Sequence, residues 1–206
     1  MSSFARDPVL TPVSIGSLRP TQITVGMQEV KEKRKHLRQR SAKKIGSFLG
    51  SHMIPVILGP KQRHYVIDHH HLALALHKEG VENVLVTVVA DLSELDPDDF
   101  WLVLDHHSWV HPYDENGRRR DFAKIPKSIG KMKDDPFRSL AGGVRRVGGF
   151  AKDTTPFSEF LWADYFRRRM KRKRVVNNFN TAIKEAMKLA KKADARYLPG
   201  WSGPVD

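Results

Sequence analysis

One acid and three imidazoles stand in a row at Asp68, His69, His70 and His71. Tyr65, Val66 and Ile67 before them are strand formers, and Leu72 to Leu76 after them are helix formers. The pattern predicts a strand that stops at Asp68 and a helix that opens near His70. The four residues then sit at a helix N-terminus, where free backbone N–H groups and the helix dipole favour an anion such as phosphate. His70 and His71 could donate to phosphate oxygens, or one of them could act as general acid or base near neutral pH. Asp68 could orient an imidazole, or hold Mg²⁺ or Mn²⁺ through water. Asp68 is also a good helix cap, and one of the histidines could equally be buried against a sheet.

Other groups could join this chemistry. Glu29 lies among Lys31, Glu32, Lys33 and Arg34 on a charged helix. A carboxylate there could deprotonate a hydroxyl or water beside a bound phosphate, with Lys33 neutralising charge. Gln22 and Thr24 could line the same groove. The same helix also fits a solvated face, with Glu29 and Lys33 as an i, i+4 pair. Asp105, His106, His107 and His111 form a second histidine-rich group, and a Zn²⁺ or Mn²⁺ site would need it to meet the first. Arg138 could reach an anion, and Glu159 and Asp164 could face the groove. Phe157, Phe160, Leu161, Trp162 and Tyr165 read as core. Arg167, Arg168, Arg169, Lys171, Arg172, Lys173 and Arg174 make seven cations in eight residues. They could neutralise the phosphates of a nucleic acid without reading its sequence, or simply end a solvated helix. No helix-turn-helix is readable there.

The elements that must position these residues divide the chain in two. Pro12–Ile15, Ile54–Leu58, Tyr65–Ile67 and Val84–Asp91 read as strands, and the unbroken apolar run of the last predicts burial on both faces. Met27–Arg40 and His70 to about Gly80 read as helices, with Ser41–Ser51 helical in part. After Asp96 the β signals fade. Helices are expected over Pro97–His107 with Asp96 as cap, Pro136–Arg146 with Asp135 as cap, Pro156 to about Arg174 with Thr155 as cap, and Asn177–Ala193. One or two helical turns are expected over Ile125–Lys131. The expected fold is α+β: a small mixed β-sheet core over residues 10–95, an α-helical C-terminal half over 96–196 packed on it, and tails at 1–9 and 197–206.

The bulk numbers agree with an anionic partner. The chain has 206 residues, with 36 Lys and Arg against 23 Asp and Glu, a formal net charge of +13. It has no cysteine, which removes disulfides, thiolate zinc sites and cysteine nucleophiles together. The first 25 residues hold no apolar signal region, and no window is long and apolar enough to span a membrane. A cytoplasmic location and no membrane partner are expected. The oligomeric state is open, a homo-oligomer included.

Several of these segments together resemble a known superfamily. Leu18-Arg19-Pro20-Thr21-Gln22, Gly26, Glu29-Val30 with Lys33, Pro55-Val56 and Val66-Ile67-Asp68-His69-His70-His71 are similar to the ParB/sulfiredoxin-like superfamily, in its ParB-like nuclease branch. Trp109–Gly117, Asp134–Leu140 and Pro156–Asp164 resemble the same branch, so the likeness runs over about 13–169. The resemblance implies a small mixed sheet with a phosphate-binding groove at the strand-to-helix box. It implies a nucleotide (ADP, ATP or CTP) as ligand, held by Asp68, His69, His70 and His71 with Gln22 and Lys33. Asp68, His70 and His71 match the Asp-Gly-His-His-Arg box of the kinase branch, and Glu29 falls near that branch's catalytic acid. This chain departs from the box in two places: His69 stands at the Gly and Leu72 at the Arg, which removes a bidentate phosphate clamp. Without cysteine, sulfiredoxin chemistry is excluded. Phosphoryl or phosphodiester chemistry, as a nuclease or a nucleotide-dependent phosphotransferase using Glu29, His70 or His71, is one expectation. A nucleotide- or DNA-binding module without turnover, or an accessory domain whose groove takes a partner protein, are the others.

Overall fold

The computed structural model describes residues 12–39, 48 and 50–204. The expected tail before residue 12 and most of the 41–51 stretch lie outside them. Seven strands are described: β1 (Pro12–Ser14), β2 (Arg19–Pro20), β3 (Thr24–Val25), β4 (Ile54–Gly59), β5 (Arg63–Val66), β6 (Asn83–Asp91) and β7 (Lys133–Asp134). The helices are α1 (Met27–Arg38), α2 (His70–Lys78), α3 (Pro97–His106), α4 (Pro136–Arg146), α5 (Ser158–Arg167), α6 (Arg172–Asn177) and α7 (Phe179–Ala190).

Five strands make a mixed sheet in the order β1-β6-β4-β5-β2. β4 and β5 form an antiparallel hairpin, β2 runs parallel to β5, and β4 runs parallel to β6. β1 closes the other edge antiparallel to β6. A separate parallel pair, β3 with β7, ties the segment just before α1 to the segment just before α4. The mixed-sheet core and helix-rich C-terminal half are those the sequence predicts.

Three apolar clusters hold the molecule. The first lies between the sheet and helices α1 and α2, with Ile54, Val56, Val66, Leu74 and Leu76 at its centre. The second is the helical half, built on Leu140, Trp162, Tyr165 and Phe166 with Ala182, Ala186 and Ala190 of α7. The small alanine side chains let α7 lie close to α4. The third covers the opposite face of the sheet, where Phe100 and Leu104 of α3 meet Ile57.

Two expectations are corrected. β6 is not buried on both faces: Val84 is buried, but Val88 and Val89 are 47% and 49% exposed. β1 reaches only as far as the Asn83–Leu85 register, so beyond it β6 has β4 on one side alone. The single helix expected over 156–174 is broken. α5 starts at Ser158 after Phe157 in a left-handed conformation, stops at Arg167, and the chain resumes as α6 at Arg172. Cations at i, i+3 and i+4 along one unbroken helix would repel one another.

Candidate functional site

The strand-to-helix junction forms as its residue types dictate. β5 ends at Val66 and α2 begins at His70, two residues after Asp68. His69 between them takes φ +63°, a conformation that glycine adopts freely and that costs a side-chain-bearing residue on the order of 1–3 kcal/mol. The glycine-like turn is therefore kept with a histidine in it. Asp68 Oδ1 accepts the His69 N–H at 2.6 Å. The first helical hydrogen bond runs from Ala73 N–H to the His69 carbonyl at 2.9 Å. The N–H groups of His70, His71 and Leu72 precede it and are the open donors of the helix end.

The two helix-borne histidines are fixed in different ways. His70 is buried, and its Nε2 accepts the Thr21 N–H at 3.2 Å, while Thr21 Oγ1 donates to the Val66 carbonyl at 2.8 Å. Burial, with His71 beside it, holds its pKa down at about 3. His70 thus stays neutral and pins the Thr21–Gln22 segment against the end of β5. His71 reaches across to α1: Nε2 is 3.0 Å from the Gly26 N–H and 3.1 Å from Glu29 Oε2. That nitrogen serves one partner at a time, accepting from Gly26 in the Nδ1–H tautomer and donating to Glu29 in the Nε2–H tautomer or the protonated ring. Burial, then Arg138, Lys33 and Arg146, push its pKa well below the ordinary histidine value. No other described residue hydrogen-bonds to His71 Nδ1.

Glu29 is brought to His71 by the packing of α1 on α4. Asp134 Oδ1 accepts the Met27 N–H at 2.9 Å and Ser139 Oγ accepts the Gln28 N–H at 3.2 Å, so α1 is capped from the helical half. Gly142 makes room for the carboxylate: a Cβ there would lie 1.9 Å from Glu29 Oε1. Arg138 and Arg146 of α4 flank the same oxygen at 3.3 and 3.5 Å. Glu29 is buried behind the His71 ring.

His71 forms part of the wall of a cleft of about 680 Å³ between the sheet's box and the start of α5. Gln22, Lys33, Asp68, His69 and His70 line it too, so these residues share one space with His71, while Glu29 does not line it. Arg138, Arg145 and Lys152 line its far side, with Glu159 and Asp153 as the acids there. Among the residues that line the cleft, Gln22 Oε1, Arg138 Nε and Arg145 Nε are buried without a hydrogen-bond partner among the described residues. Such atoms are costly unless a ligand or water satisfies them.

Leu72, where the box has Arg, is buried in the first apolar cluster. The guanidinium groups in the cleft come instead from α4, whose Arg138 and Arg145 lie two turns apart on one face. Arg145 and Lys152 were not singled out by the sequence. The spacing of seven between Arg138 and Arg145 was the available signal.

Asp68, the expected metal ligand, has a 78% exposed side chain at the rim. Among the described residues no three His, Asp or Glu are grouped to hold a metal ion. Asp105 pairs with Arg119, His107 stacks on Trp109 at 4.3 Å, and His111 packs between Tyr113 and Phe160 at 4.4 and 4.0 Å. Burial, then Arg138, hold the His111 pKa at about 3.

The basic run does not present seven equivalent charges. Arg167 pairs with Asp135 and Asp164, Arg169 with Asp194, and Arg174 with Glu185. Arg172 donates to the Glu115 carbonyl at 3.0 Å. Arg168, Lys171 and Lys173 are exposed and have no ion pair among the described residues. No helix among the described residues is long and apolar enough to cross a membrane.

A family model described as "Putative ParB-like nuclease" matches residues 11–168. The crystal structure of protein Atu1540 from Agrobacterium tumefaciens is similar with a TM-score of 0.88 and 52% sequence identity, over 97% of this chain and 100% of that one. Comparison with curated proteins gives no match.

Proposed function

This chain belongs to the ParB-like nuclease family, and from that premise we propose that its His-box cleft binds the phosphate of a nucleotide or nucleic acid and acts on it. The observation that carries the reading is the Glu29–His71 pair, 3.1 Å apart, set at a cleft with open helix N–H groups on one side and arginines on the other. Phosphate oxygens would take the N–H groups of His70, His71 and Leu72, with Lys33 and Arg138 supplying counter-charge. The unpartnered Arg138 Nε and Gln22 Oε1 fit a ligand that offers both acceptors and a donor.

The chain's own residues support a proton step. His71 is neutral at neutral pH, and in the tautomer whose Nε2–H donates to Glu29 its Nδ1, to which no described residue hydrogen-bonds, carries the lone pair and suits a base for a hydroxyl or water beside the phosphate. Glu29 fixes the ring through Nε2 and stabilises it once protonated, so it acts as a positioning residue. His70 acts on the architecture, by holding Thr21. Mg²⁺ or Mn²⁺, where a phosphate ligand brings one, would supply charge neutralisation, and Asp68 at the rim would be its protein ligand.

The non-catalytic alternative has its own observation: Glu29 is also satisfied by Arg138 and Arg146, as a purely structural carboxylate would be. Calorimetric titration with ADP, ATP, CTP and short DNA, with and without Mg²⁺, on the wild type and on His71→Ala, tests the reading. Saturable nucleotide binding that His71→Ala weakens at least fivefold is expected, with turnover lost in the same variant. Binding untouched by His71→Ala would remove the box from the function. Binding that is lost with no turnover detected in the wild type would leave a binding module.

A further inference from the structure

A second cavity, of about 260 Å³, opens beside the cleft. The two share Ser108, Pro156, Phe157 and Phe160 as lining residues, so they lie side by side. Their walls differ in kind. The cleft is lined by cations and the open end of α2. The annex is lined by flat rings: His111 lies 4.4 Å from Tyr113, 4.0 Å from Phe160 and 4.8 Å from Phe157. His111 is kept uncharged by burial, so this wall is a neutral aromatic surface at physiological pH. Leu161 adds an apolar edge and is 44% exposed. Polar groups stand at the rim, in Ser108 and the Asp105–Arg119 pair.

We propose that this annex is a nucleobase subsite, and that the site as a whole takes a free nucleotide. The inference rests on the reading of the cleft as a phosphate site. A base offers a π face to aromatic side chains whatever its identity, and its edge offers donors and acceptors to a rim such as Ser108 and Asp105–Arg119. An anion site joined to an aromatic annex through shared walls matches a phosphate joined to a base through one sugar. A base held in duplex DNA would have to be extruded to enter, so the free nucleotide is the occupant this geometry favours. Phe157, in its left-handed turn at φ +58°, is one of the residues that both spaces share at the head of α5.

The test compares inorganic tripolyphosphate with ATP and CTP by calorimetry on the full chain. The wild type is expected to bind tripolyphosphate, and to bind at least one nucleotide at least fivefold more tightly, the range given by stacking one base. Tyr113→Ala and Leu161→Ala are expected to erase that advantage while leaving tripolyphosphate affinity unchanged. Leu161→Ala trims a largely exposed side chain and keeps the test valid if Tyr113→Ala lowers stability. Nucleotides that bind no more tightly than tripolyphosphate, or an advantage that survives both substitutions, would overturn the base subsite and leave the phosphate reading standing. A wild type that binds neither tripolyphosphate nor nucleotide would overturn both.

Discussion

Burial sets the charge of His70 and His111, and this has a measurable consequence. Both have folded-state pKa values near 3, against about 6.5 in an unfolded chain. The folded state therefore binds fewer protons than the unfolded state between those values, and stability falls as pH drops through that window. Above pH 6.5 the contribution is fully present. By pH 5 each histidine has cost on the order of 2 kcal/mol. Thermal unfolding is expected to show a midpoint that declines from pH 7 to pH 5. His111→Phe, which keeps the stacking on Tyr113 and Phe160, should recover about one histidine's share. A midpoint that stays flat over this range would contradict the assignment of neutral buried rings. For Glu29, the expected result of Glu29→Gln is a loss of at least tenfold in turnover with ligand affinity changed by less than about threefold. A structural carboxylate would instead move stability and leave the pH profile of turnover as it was.

At the scale of elements, the close approach of α1 to α4 delivers Glu29 to His71. Gly142 is the point of contact, since a Cβ there overlaps Glu29 Oε1. Gly142→Ala should displace the carboxylate from Arg138 and His71 and weaken turnover, while the cost to stability is offset in part by the about 1 kcal/mol that Ala gains over Gly inside a helix. A kinetic assay measures the loss, and unchanged turnover would mean that Glu29 can move aside without consequence for His71. Asp135 caps α4 by accepting the Phe137 N–H at 2.9 Å and also pairs with Arg167. Much of this level is legible in the sequence. The switch of residue type between Ile67 and Leu72 marks the strand-to-helix box, and Asp96 and Asp135 before Pro97 and Pro136 mark two helix starts that the structure places there. What local pattern could not carry is pairing. The exposure of Val88 and Val89 depends on how far β1 extends along β6, and the ion pairs of Arg167 and Arg169 reach acids as distant as Asp135 and Asp194. The arginine side of the cleft was equally hidden. Arg138, Arg145 and Lys152 lie some 70 to 80 positions beyond the box, and long-range contacts such as the β3–β7 pairing and the packing of α1 on α4 bring them to it.

For the molecule as a whole, a net charge of +13 favours anionic partners, but the structure spends part of that charge internally. In the 167–174 run, three arginines are tied to intramolecular acids. The remaining Arg168, Lys171, Arg172 and Lys173 would release about four counterions on double-stranded DNA, so log affinity against log salt should fall with a slope near −4 rather than near −6. A titration series in salt measures this, and the steeper slope would show that the arginine pairs open on binding. Phosphate binding in the cleft is tested most directly by following backbone amide resonances of the full chain during titration with ATP. Saturable shifts are expected at His70, His71 and Leu72, with companions at Gln22, Lys33 and Arg138. Shifts confined to the 167–174 run, with the box unmoved, would contradict binding in the cleft.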